Sequence, residues 1–183
     1  FEKTYVVGGP VNPKTGEPYG IRTKAYEEWA AAQGKPVLSD EQADLVASLT
    51  VGVQAHEVAK ALLASGIPEG VVRSEYRGVR SQIRVDWFNP TKGIVDLKTC
   101  DDLAFFEADA RRYGYAHQLA FYRAVLAEAA GEKFPAYFIV VEKKEPYRCG
   151  VWRVGDDVLG LAQTENEQPI QMLKRCEAGG RWP

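Results

Sequence analysis

The chain has 183 residues, 45% hydrophobic and 26% charged, with a formal net charge of −2 and three cysteines. That composition belongs to an ordinary globular protein. It excludes a low-complexity chain, and no apolar run approaches the roughly 20 residues needed to cross a bilayer. One domain over residues 1–183 is the default at this length, burying about 70% of the extended surface. Cys100, Cys149 and Cys176 are scattered and odd in number, which argues against a disulfide framework and suits a reducing cytoplasm. Nothing from Phe1 to Pro10 has the pattern of a signal peptide.

Residues 8–20 hold four glycines and three prolines and read as a loop, so that 1–20 forms an extended N-terminal segment. A short helix follows over 22–33. Ser39 with Gln42 three residues on has the form of a capping box, opening a helix in which Leu45, Val46, Leu49, Val53, Val58, Leu62 and Leu63 recur at near-helical spacing. It runs to Ser65, with Gly66 and Pro68 beyond. Strands are expected over 71–77, 82–88 and 93–99, the last two joined by a hairpin at 89–93. A helical region at 103–130, broken near Tyr113-Gly114, precedes strands at 134–142 and 148–154. The final helix, 156–177, contains Pro169, expected to kink it or restart it. The order ααβββαββα predicts an α/β sandwich with a mixed sheet flanked by helices.

The chemistry concentrates on the second and third strands. Alternation along Ile83-Arg84-Val85-Asp86-Trp87 places Arg84 and Asp86 on one face. Asp96 and Lys98 likewise share a side, with Leu97 expected to turn into the core. Aspartate is depleted from strand interiors, yet two sit here among Val, Ile, Leu and Trp. Two carboxylates can hold a hard divalent cation through oxygen. A neighbouring ammonium can hold a water or stabilise developing negative charge, and the set suits metal-assisted cleavage of a phosphodiester. Gln118 and Tyr122 are i and i+4 on one helical face. Glu75, on the strand before Asp86, is a further candidate acid, and Arg84 a candidate phosphate contact. Trp29, Trp87, Trp152 and Trp182 read as packing residues.

In this order, Gly52-Val53-Gln54-Ala55-His56, Ile83-Arg84-Val85-Asp86, Gly93-Ile94-Val95-Asp96-Leu97-Lys98-Thr99 and Tyr115-Ala116-His117-Gln118-Leu119-Ala120-Phe121-Tyr122 resemble the PD-(D/E)XK nuclease superfamily. Within it the chain looks most like the RecE (exodeoxyribonuclease VIII) branch of phages and prophages, from about Gly20 to Arg175. The resemblance implies a restriction-endonuclease-like core. It implies Asp86, Asp96, the Leu97 backbone carbonyl and the helical His56 as metal ligands, with His117 as a rival histidine. Lys98 would be the catalytic lysine, and Gln118 and Tyr122 would brace it or contact DNA. It also implies Mg²⁺ or Mn²⁺, two ions, and 5′→3′ digestion of linear double-stranded DNA to leave 3′ tails for recombination. The expected partners are a ring-shaped homo-oligomer and a single-strand annealing protein, with no membrane. Some relatives carry an iron–sulfur cluster on four cysteines, which three cannot build, so no cluster is expected. An endonuclease or helicase-associated repair nuclease on the same core is the main alternative; a non-catalytic DNA-binding module is a further one. The net charge sits poorly with DNA binding, although Arg73, Arg77, Arg80 and Arg84, and again Arg111, Arg112 and Arg123, concentrate positive charge locally.

Overall fold

A computed structural model describes residues 3–182; expectations touching Phe1, Glu2 and Pro183 lie outside the described residues. The chain divides into two compact units at the Val51/Gly52 boundary. In the first, β1 (Val6–Val7) pairs in parallel with β2 (Val37–Leu38), where a loop or extended segment over 1–20 was expected. Between them lies α1 (Lys24–Ala32), capped by the Thr23 hydroxyl. The capping box is present: Gln42 N–H donates to Ser39 Oγ at 3.2 Å, and Ser39 N–H to Gln42 Oε1 at 2.9 Å. It opens α2 (Asp40–Ala55), which runs past the boundary.

The single helix expected to reach Ser65 is two. His56 has extended backbone angles (φ −88°, ψ 111°) and serves as N-cap of α3 (Glu57–Leu63). The second unit is then built on a five-stranded sheet in simple chain order: β3 (Ile67–Tyr76), β4 (Val79–Asn89), β5 (Gly93–Cys100), β6 (Ala136–Glu142) and β7 (Cys149–Arg153). Every neighbouring pair is antiparallel except β5–β6. That parallel pair needs a crossover, supplied by a 3₁₀ turn (Leu103–Phe105), α4 (Phe106–Arg112) and α5 (Tyr115–Ala130). The long α6 (Asp156–Gly179) carries Pro169 inside one continuous helix and packs on α5, which itself lies on β3 and β4.

Two turns set the geometry of the site. Arg77 (φ 53°) and Gly78 (φ 76°) form a two-residue hairpin turn with both φ positive, the twist that suits antiparallel strands and that glycine accepts without strain. At the other end, buried Asn89 takes hydrogen bonds from Thr91 N–H, Thr91 Oγ1 and Lys92 N–H and gives one to the Leu62 carbonyl, tying the β4–β5 turn to the end of α3. The core between sheet and α5 includes Ile83, Val85, Ile94, Leu119, Val125, Phe138 and Val140. Each such aliphatic or aromatic side chain contributes roughly 1.5–3 kcal/mol by burial.

Candidate active site

Asp86 and Asp96 come together where β4 and β5 part. The paired ladder runs from Asn89↔Gly93 to Trp87↔Val95 and stops. One step further, the Asp86 carboxylate accepts the Leu97 backbone N–H through Oδ2 at 2.9 Å. The side chain of Leu97 departs from expectation: it is 48% exposed, while Asp96 is 1% exposed. β5 is a central strand and Gly93 to Asp96 are all buried, so alternation fixed which residues share a face but not which face is covered. Asp96 and Lys98 are on the α5 side of the sheet. Leu97, Asp86, Gln54, Trp87 and Glu69 line a cavity of about 490 Å³.

Lys98 is held from several directions. Its ammonium pairs with Asp96 Oδ2, donates to Gln118 Oε1 at 3.3 Å, and lies 4.9 Å from the centre of the Tyr115 ring. Gln118 Nε2 in turn donates to Tyr122 Oη at 2.9 Å. Gln118 and Tyr122 thus form one continuous line with the lysine. Gly114 makes this line possible: with φ +67° it separates α4 from α5, letting α5 take its own axis and present Tyr115, Gln118 and Tyr122 on successive turns. Asp96 is electrostatically exposed by its burial. Desolvation, the largest cause, pushes its carboxyl above the usual range, and Asp86 pushes the same way; the Lys98 ammonium opposes both.

His56 caps α3, its Nδ1 accepting the Ala59 N–H at 3.3 Å. That bond uses the Nδ1 lone pair, so in the neutral ring Nε2 carries the proton, and ligating a metal would require the imidazole to leave its cap or change tautomer. His117 pairs with Glu165 on α6 at 2.6 Å and lines a separate apolar cavity with Phe106 and Trp152. Glu75 faces Arg80 across the β3–β4 pair, near the outer hairpin turn. Arg84 pairs with Glu69 at 3.0 Å, both well exposed. Glu69, which sequence inspection passed over, lines the cavity beside Asp86 and has a positive φ of 52° in an otherwise extended strand. The signal that could have found it was Arg77-Gly78. With the turn placed there, Gly70 pairs with Val85, bringing Glu69 level with Asp86.

A family model for the PDDEXK-like domain of unknown function (DUF3799) matches residues 17–183. The chain belongs to this family. Its fold is that of the PD-(D/E)XK proteins, an α/β core with a mostly antiparallel sheet flanked by helices. Among solved structures, a protein described as a “putative exonuclease” from Eubacterium rectale is similar, with a TM-score of 0.67 and 20% identity; the match covers 87% of this chain and 64% of that one. The chain therefore spans less than two thirds of that neighbour. An alkaline exonuclease from Laribacter hongkongensis matches at a TM-score of 0.33 and 14% identity, over 87% of this chain and 89% of that one. No curated protein matches the chain.

PD-(D/E)XK nucleases generally use divalent metal ions. Among the described residues, no three His, Cys, Asp or Glu side chains are gathered as a ready-made metal cluster. The donor set nonetheless fits a hard cation. Both Asp96 carboxylate oxygens are buried; the Lys98 ammonium is paired with Oδ2, and Oδ1 has no hydrogen-bond partner among the described residues. Buried polar atoms are almost always satisfied, and leaving one unsatisfied costs about 1–3 kcal/mol, more when charged. That is the contribution of one buried leucine, a penalty this core can carry. Two oxygen lone pairs facing inward beside a second carboxylate are what an oxygen-preferring cation requires. Cys100, Cys149 and Cys176 are free thiols, the first buried. None of the helices among the described residues is long and apolar enough to cross a membrane.

Proposed function

We propose that this chain is a metal-dependent deoxyribonuclease of RecE type, hydrolysing one strand of linear double-stranded DNA from its 5′ end and leaving a 3′ single-stranded tail for recombination. The observation that carries the reading is the buried Asp96 carboxylate, paired with Lys98 through Oδ2 only and set beside Asp86. The proposed metal is Mg²⁺ or Mn²⁺, two ions, held by Asp86, Asp96 and the Leu97 carbonyl, with the His56 imidazole joining once released from its cap. Such an ion supplies Lewis-acid polarisation of the phosphoryl oxygens and a hydroxide-like water at neutral pH.

The protein side chains do the rest. Lys98, braced by Gln118 and Tyr115, orients the attacking water and neutralises charge gathering on the phosphorane, a preorganised donor of the kind most effective in a partly buried site. Asp86 fixes the Leu97 peptide and so sets where its carbonyl points. Tyr122 holds Gln118 in the rotamer that meets the lysine. Arg84, at the margin with Glu69, contacts a phosphate. A ring-shaped homo-oligomer and a single-strand annealing partner complete the reading on family resemblance.

Purified protein with Mg²⁺ and a linear duplex labelled at one 5′ end, beside a closed circular duplex, tests it. Release of 5′ label as mononucleotide with the circle intact is the expected result. Nicking of the circle would transfer the site to an endonuclease, and progressive shortening of the labelled strand with the 5′ label retained on it would reverse the polarity. An inert protein in both Mg²⁺ and Mn²⁺ would leave a DNA-binding module.

A further inference from the structure

An aromatic ladder leads from the site lysine to the surface. The Lys98 ammonium lies 4.9 Å from the Tyr115 ring centre, and Tyr115 stacks on Tyr113 at 5.8 Å with 27° between planes. Tyr115 is anchored inward by Phe106 and Phe138, with ring centres 6.2 and 6.1 Å away. Tyr113, in contrast, is 59% exposed at the end of α4. The Arg112 guanidinium sits 5.5 Å over its ring, and Arg111 beside it is also exposed. Tyr113 caps α4 through its backbone N–H, so the cap does not call on its ring.

We propose that Tyr113 is a stacking platform for one base of the strand being cut, with Arg112 pairing to the adjacent phosphate. The proposal rests on the nuclease reading of Lys98 for its orientation toward the scissile bond. Single-strand binding surfaces combine aromatic rings with cationic side chains because every base has a π-face and every nucleotide a charge. Arginine over an exposed tyrosine is a reversible occupant of that ring: a base takes its place, and the freed guanidinium turns to phosphate, where its planar donors bind well. With roughly 3.4 Å of axial rise per nucleotide, the two steps from Lys98 to Tyr113 reach a base within about three nucleotides of the bond cut. The rigid anchoring of Tyr115 fixes that distance, so the platform holds the strand in register.

The test uses single-stranded oligonucleotides with 2-aminopurine at successive positions from the 5′ end, in EDTA so that nothing is cut. With the whole protein and with Tyr113→Phe, fluorescence is expected to be quenched at one position only. With Tyr113→Ala the quench is lost and Kd rises about tenfold, within the range of single base–aromatic stacks; in Mg²⁺ the same variant shows a larger rise in KM for DNA than fall in kcat. Unchanged quench and Kd in a Tyr113→Ala protein with wild-type circular dichroism would overturn the proposal. If the wild-type protein cuts no DNA, the nuclease reading fails while the quench still decides Tyr113.

Discussion

Asp96 on β5 and Glu142 on the adjacent β6 are both carboxylates 1% exposed, and they have opposite surroundings. Glu142 is fully engaged: Arg148 reaches it through Nε at 2.7 Å and Nη2 at 2.6 Å, and the Leu103 N–H donates at 3.0 Å. Those bonds, Arg148 foremost, hold its carboxyl down at about 2. Asp96 has one ammonium, that of Lys98, against one of its two oxygens, and burial drives its carboxyl up. Burial alone does not make an acid a candidate for the proposed chemistry; unmet bonding capacity of its oxygens does.

Four measurements sharpen or break this contrast. The largest effect is expected from Asp96→Asn, which keeps the shape and removes the charge: DNA cleavage should fall roughly 10³-fold, the scale of losing metal-centred charge stabilisation, while Glu142→Gln stays within a few-fold of wild type in kcat. Comparable activity losses in both variants would erase the distinction. Next, Lys98→Ala should lower kcat about 10²-fold with Mn²⁺ affinity by calorimetry little changed; loss of metal binding without a change in turnover at saturating metal would make the lysine structural. His56→Asn comes third. Asparagine is itself a good N-cap, so thermal stability should hold while metal affinity falls about tenfold; unchanged affinity would confine His56 to capping.

The smallest effect is in stability against pH, followed as Tm in EDTA. Glu142 has a lowered carboxyl in the fold, so its contribution is present above the unfolded value near 4.5 and is lost as pH falls from there toward about 2. Asp96 has a raised one, so its contribution is present below about 3.8 and is lost as pH climbs through the raised value. Glu142→Gln should therefore flatten the acid limb. Asp96→Asn should raise Tm near neutrality by a few degrees, as expected for about 1 kcal/mol in a domain of this size. A neutral-pH Tm lowered by Asp96→Asn would mean that the ion pair with Lys98 outweighs the burial of the charge.

Much of this was legible in the sequence. The strand run, the Asn89–Gly93 turn, the break at Gly114 and the capping box at Ser39 all have local causes in turn chemistry or capping, and all appear. What was missed depended on distance along the chain. The pairing of Val6–Val7 with Val37–Leu38 involves strands too short to show alternation. The helix break at His56 gives no glycine or proline signal, because the cap is the imidazole itself. The orientation of Leu97 depends on which face of a central strand is covered, a tertiary matter. Glu75 was weighed and Glu69 passed over because the hairpin turn was placed too loosely, and register follows the turn.

The simple strand order described above has a kinetic consequence. Asp86 and Asp96 are joined by one short hairpin, whereas Lys98 meets Gln118 only after the β5-to-β6 crossover has brought α5 back over the sheet. Local pairings close ahead of long loops, whose entropy must be lost first. Asp86, Asp96 and Lys98, all carried on this hairpin, should thus be adjacent before Gln118 arrives to hold the lysine. A divalent cation present during refolding should accelerate that early step by offsetting the repulsion between Asp86 and Asp96, while the crossover that brings α5 over the sheet stays the slower event.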